Sequence, residues 1–294
     1  MPYTLSRGLF RDGCDNVRTV AIASGKGGVG KTNVAVNLAL TLSQRGKRVL
    51  LLDGDLALAN VDIVLGIECH RNLHDVVTAG APLTDVLVNV NERFQVLPAS
   101  SGVLEMERLA PEQRVALARE LRSLSAPYDV LLIDTAAGMT ENVLFFARLA
   151  DDVLLVATPE PTAITDTYAM IKVLRTRHHV NSIALLVNQV ATAAQGVEVH
   201  QALNRVLQQF FGVELTYAGY LFRDGALQHA VRERRPVVVS HPQALVSGSF
   251  RALAARFDQV FRSPLRRTDS DFWSLLSHED GAPTVAVPLP RVGT

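Results

Sequence analysis

The chain has 294 residues, 48% hydrophobic and 20% charged, and its 29 lysines and arginines balance 29 aspartates and glutamates. That is the composition of a globular protein with a sizeable core, and the balance excludes the strong positive field with which most nucleic-acid binders meet phosphates. Cys14 and Cys69 lie far apart without CxxC or metal-ligand spacing, and no apolar run approaches the ~20 residues of a membrane-spanning helix, so a cytoplasmic protein is expected.

Residues 1–17 carry scattered charges without the apolar stretch of a secretory signal and read as an N-terminal tail. From Val17 onward, short β-branched apolar runs alternate with longer amphipathic stretches. This is the pattern of an α/β fold: a doubly wound, mainly parallel sheet with helices on both faces, here one domain over residues 18–262. Strands are expected at 19–23, 48–53, 94–98, 130–134, 152–158, 183–188 and 217–221. Helices are expected at 32–45, where Val34, Leu38 and Leu42 recur at helical spacing before Gly46, and at 111–123, 168–176, 197–211 and 244–261. After residue 262 the composition shifts to Ser, Pro, Arg and Asp, so 263–294 reads as a tail.

Between the first strand and first helix lies Gly25-Lys26-Gly27-Gly28-Val29-Gly30-Lys31-Thr32. Both the GxxxxGK[ST] spacing and its strand–loop–helix context are those of a phosphate-binding P-loop. Glycines let the backbone wrap phosphate oxygens, Lys31 neutralises the β- and γ-phosphates, and the Thr32 hydroxyl is a ligand for Mg²⁺. The apolar strand Val-Leu-Leu-Ile-Asp ends in Asp134, a candidate to hold Mg²⁺ through water, and the small turn after it offers the Gly138 amide to a γ-phosphate. The second expected strand ends in Asp53-Gly54-Asp55, at the carboxyl edge where such sheets bind ligand. Asp55 is the candidate for aligning the attacking water, with a place near Mg²⁺; Asp53 is read as structural, and a helix N-cap is the alternative for either carboxylate.

Lys26 separates this loop from an ordinary P-loop. Here the sequence resembles the MinD/ParA family of P-loop ATPases, whose pattern is Lys-Gly-Gly-x-Gly-Lys-Thr. The resemblance implies ATP and Mg²⁺ as cofactors, a homodimer formed with ATP, and slow, partner-stimulated hydrolysis. It also implies that Lys26 reaches the partner subunit's nucleotide, so that Lys26, Lys31 and Asp55 form the catalytic set. Asn188, in Leu186-Val187-Asn188, matches the family's adenine-contacting asparagine. Asn33, Leu58 to Asp62, Asp134 to Gly138 and the run Glu160 to Ala169 look most like the FlhG/FleN flagellar-number regulators. That likeness implies control of flagellar number or placement, with an FlhF-like GTPase or a FleQ-like transcription factor as partner. The alternatives are a division-site or DNA-partitioning ATPase, or an ATP-bound scaffold that sequesters a transcription regulator.

In the tail, residues 269–278 form a candidate amphipathic segment that gathers Phe272, Trp273, Leu275 and Leu276 after Arg262, Arg266 and Arg267. Two readings stand: docking on the inner-membrane surface, as the family resemblance implies, or a strap across the protein's own surface. Arg232, Arg234 and Arg235 are interrupted by Glu233 and read as a solvated face, so DNA is not an expected partner.

Overall fold

The computed structural model describes residues 17–261 except 101, 104, 105, 107, 108 and 126. The N-terminal tail and the 269–278 segment lie outside the described residues. In chain order the elements are β1 (Arg18–Ala23), α1 (Lys31–Gln44), β2 (Val49–Gly54), α2 (Val61–Leu65), α3 (Leu73–Ala79), β3 (Val88–Asn91), β4 (Phe94–Leu97), α4 (Pro111–Ser125) and β5 (Val130–Thr135). They continue with α5 (Glu141–Leu149), β6 (Asp152–Ala157), α6 (Pro161–His178), β7 (Ile183–Val190), α7 (Ala193–Phe211) and β8 (Thr216–Phe222). The last helices are α8 (Gly225–Arg232), α9 (Val237–Ser240), α10 (Leu245–Ala255) and α11 (Phe257–Val260).

One eight-stranded sheet runs β3-β4-β2-β5-β1-β6-β7-β8. Every pairing is parallel except that of β3 with β4. Successive side chains of a strand point to opposite faces. Val20 and Ile22 of β1 therefore enter a core built with α1 and α10, while Ala21 and Ala23 enter a second core with α5, α6 and α7. A third cluster joins Leu50 and Leu52 of β2 and Leu131 and Ile133 of β5 to Leu117 and Leu121 of α4. Strands apolar on both faces in this way are what a sheet covered on both sides requires.

All seven expected strands are present. The structure adds β3, an edge strand reading Val-Asn-Val-Asn, whose polar alternation gives little apolar signal. The expected helix at 168–176 begins earlier, because Pro161 occupies its first turn, where a missing N–H costs nothing. The expected helix at 244–261 is broken at Arg256, where the chain turns and buries Phe257 against Phe261, their rings 4.7 Å apart.

Candidate functional site

Because β1, β2 and β5 are parallel neighbours, the segments that follow them emerge at one edge of the sheet. Residues 25–32 follow β1 and run into α1. Gly28 and Gly30 adopt φ of 77° and 93°, backbone conformations that cost little only for glycine. Gly25 is required for another reason: a Cβ there would lie 2.5 Å from the Asp166 backbone in α6.

The N-terminus of α1 has been left open. Helices α3, α5, α7 and α8 each begin with a side-chain oxygen, from Asn72, Thr140, Thr192 and Asp224, accepting a first-turn amide hydrogen bond. In contrast, α1 begins at Gly30, which has no side chain to offer, and carries no acidic residue in its first turn. Its first amides and positive dipole end are therefore available to an anion.

Lys31, buried at the start of α1, feels Asp134 and Asp55; burial lowers its pKa and the two carboxylates oppose that shift. Asp134 ends β5 and is buried. The Thr32 hydroxyl hydrogen-bonds its carboxyl, yet Oδ1 has no hydrogen-bond partner. Burial raises its pKa from 3.8 to about 7, against the pull of Thr32 and Lys31. An orphaned, fully buried carboxylate oxygen is costly unless something else satisfies it. A hard cation held by oxygen donors, with Thr32 adjoining, fits this pair as a Mg²⁺ site.

Asp53 and Asp55 separate by environment. Asp53 pairs in register with Asp134 across β2 and β5 and is buried. Its Oδ1 accepts from the Asp55 amide at 3.2 Å, and Oδ2 accepts from the Asn60 and Val61 amides at 3.0 and 3.1 Å. The carboxylate thus closes the loop before α2 and caps that helix, which is the structural role its sequence context suggested. Asp55 is half-buried, accepts from the Leu58 amide at 3.2 Å and feels Lys31, with burial raising its pKa. It therefore stands at the mouth of the site rather than in the sheet.

Three expected site residues are placed in ways the sequence did not reveal. Lys26 is only partly exposed, and its Nζ donates to Glu160 Oε2 at 2.8 Å and to Thr162 Oγ1 at 3.0 Å, at the start of α6. The Lys26 ammonium in turn lowers the Glu160 pKa. Gly138, with φ 81°, donates its amide to the Ser24 carbonyl at 2.9 Å, so this N–H is engaged by β1's exit rather than presented outward. Asn188 is buried; its Nδ2 donates to the Val29 carbonyl at 2.7 Å and its Oδ1 accepts from the Gln189 amide at 2.8 Å. It braces the loop from below, and a Cβ at Gly30 would meet its Nδ2 at 2.6 Å. Val29 is buried, Gly27 is exposed, and the Asn33 carbonyl accepts from Asn37 Nδ2 at 2.8 Å.

Glu160 and Thr162 are site neighbours that residue chemistry alone did not single out. Pro161 marks a helix start immediately behind the loop's lysine, and that was the readable signal.

The family model described as "AAA domain" matches residues 17–185. Antiactivator FleN of Pseudomonas aeruginosa is 41% identical over 242 residues, which cover 82% of this chain and 86% of that protein. Flagellum site-determining protein YlxH of Helicobacter pylori is 30% identical over 83% of each chain. Among solved structures, the septum site-determining protein MinD of Pyrococcus horikoshii, complexed with Mg-ADP, superposes with a TM-score of 0.71 at 27% identity, covering 85% of this chain and all of that one. With an open helix N-terminus, a buried lysine and an orphaned carboxylate matching ATP and Mg²⁺, the chain belongs to the MinD/ParA family of P-loop ATPases.

Proposed function

We propose that the protein is an ATP-driven dimerisation switch with slow, partner-stimulated hydrolysis that regulates flagellar number or placement. The observation that carries the switch is Lys26: a cation on the nucleotide edge, held by nothing stronger than a part-exposed ion pair to Glu160 and a hydroxyl contact to Thr162. Such a pair is a weak restraint in water, so the ammonium exchanges it readily for a partner subunit's phosphates. In this reading Lys31 and the α1 amides hold the phosphates in cis, Thr32 and Asp134 hold Mg²⁺, and Asp55 aligns the attacking water. Mg²⁺, when bound, neutralises charge on the phosphates. Gly138 reaches a γ-phosphate only by giving up Ser24, which would tie the turn after β5 to the nucleotide.

The flagellar assignment is supported by the likeness to FleN and YlxH. The word antiactivator in the first name also supports a transcription regulator as partner, beside an FlhF-like GTPase. A division-site or partitioning ATPase is the second reading, and the solved structure of MinD favours it. A strain lacking the gene tests the two. Altered flagellar counts with normal septa support the first reading; minicells or plasmid loss with normal flagella support the second.

A further inference from the structure

Three side-chain donors stand beneath the phosphate loop, one from each of three neighbouring strands. The sheet runs β1-β6-β7 here; Ser24 and Thr158 immediately follow β1 and β6, and Asn188 lies near the end of β7. Alternation along each strand puts all three on the face that packs against α1. Ser24 comes two residues after Ile22, Thr158 two after Val156 and Asn188 two after Leu186, all members of the core built with that helix. Thr158 and Asn188 are level, because Ala157 pairs in register with Val187 one residue earlier.

The outer two donors are in use. Ser24 Oγ donates to the Lys26 carbonyl at 2.7 Å, and Asn188 Nδ2 donates to the Val29 carbonyl at 2.7 Å, so both shoulders of the loop are pinned from below. The middle donor is not: Thr158 is 5% exposed, and its hydroxyl has no hydrogen-bond partner. Between the pinned shoulders Gly27 and Gly28 are exposed, and among the described residues nothing donates to either carbonyl. A buried hydroxyl without a partner is destabilising, and a valine of nearly the same shape would avoid that penalty. The empty fold therefore gives no reason for a threonine at this position.

We infer that Thr158 is a positioning residue for the nucleotide, whose hydroxyl donates to the Gly27 or Gly28 carbonyl once phosphate is bound. The inference rests on the loop being the nucleotide site and gives that site a third support. In a trans peptide the N–H and the C=O point opposite ways, so an amide turned outward to a phosphate oxygen turns the preceding carbonyl inward to the sheet. The Gly27 and Gly28 carbonyls precede the amides of Gly28 and Val29. Gly28, with φ of 77° and open space where a side chain would stand, is free to make that turn. Phosphate binding thus completes a row of three donors under the loop, from Ser24 through Thr158 to Asn188.

Thr158→Val removes the hydroxyl and keeps the branched shape, whereas Thr158→Ser keeps the hydroxyl. Calorimetry measures binding of ADP with Mg²⁺, and thermal melts are recorded without nucleotide. Thr158→Val should bind ADP about five-fold more weakly, as loss of one hydrogen bond implies. Its melting temperature without nucleotide should be unchanged or raised. Thr158→Ser should restore the affinity. Ser24→Ala, which removes a bond already made, should instead lower the nucleotide-free melting temperature, and that contrast separates a hydroxyl that meets its partner with the ligand from one that holds the empty fold. Unchanged ADP affinity in Thr158→Val would overturn the inference. So would a lowered nucleotide-free melting temperature in that variant, which would mean the hydroxyl is already satisfied, for instance by a buried water. Thr158→Ser binding as weakly as Thr158→Val would overturn it too, because packing rather than the hydroxyl would then be responsible. Failure of the wild-type protein to bind ADP would refute the nucleotide site itself, and this inference with it.

Discussion

At the scale of single residues, the site turns on buried charge whose compensation is incomplete. Lys31 is buried, and Asp134 and Asp55 oppose the effect of its desolvation. Lys31→Ala should abolish ATP binding, and calorimetry or fluorescent-nucleotide titration showing unchanged affinity would refute that role. Asp134 carries a pH dependence whose sign follows from its shift. Its folded pKa, about 7, lies above the ordinary 3.8, so between these values the folded protein holds a proton that the unfolded chain has released. Stability of the nucleotide- and metal-free protein should therefore fall as pH rises from about 4 towards 7, by an amount on the order of a few kcal/mol from this group. Asp134→Asn should flatten that fall in thermal melts; an equally steep fall in the variant would refute it. Asp53, whose burial beside Asp134 also raises its pKa, adds a dependence of the same sign that the variant leaves partly in place.

At the scale of elements, α6 is the strut that connects the phosphate loop to the far half of the sheet. Its backbone at Asp166 abuts Gly25, and Glu160 with Thr162 at its start hold Lys26. Gly25→Ala should force loop and helix apart and weaken ATP binding at least tenfold, because backbone at 2.5 Å has no rotamer to change. A binding isotherm matching wild type would contradict the contact. Thr162→Ala together with Glu160→Gln should free Lys26, so that an ATP-dependent dimer forms at a few-fold lower protein concentration. Sedimentation showing a weaker dimer would mean these residues support the interface instead. The strands, the loop and α1 were legible because apolar runs and the glycine spacing are local signals. Lys26's partners lie 134 and 136 positions away in sequence. Asn188's brace on Val29 spans 159 positions, and nothing local to either end announces it. Helix α8 was not legible because eight residues offer barely two turns of periodicity, nor β3 because its alternation lasts only four residues and two of them are asparagines, which disfavour strands.

For the whole molecule, the mainly parallel sheet gathers the loop after β1, the carboxylates that end β2 and β5, and the start of α6 on one edge. That edge presents a part-exposed Lys26 together with exposed Leu58 and Met139. It is the surface a second subunit would cover with ATP bound. The flank of α8 and α9 is a separate surface, tied to the start of α10 through Asp224. Nucleotide-dependent dimerisation is the claim on which the functional reading rests. Its most direct test is size-exclusion chromatography with light scattering on the Asp55→Ala protein, which should bind ATP but turn it over slowly. A dimer with ATP and Mg²⁺ and a monomer with ADP is the expected result; a monomer in both, with ATP demonstrably bound, would contradict it.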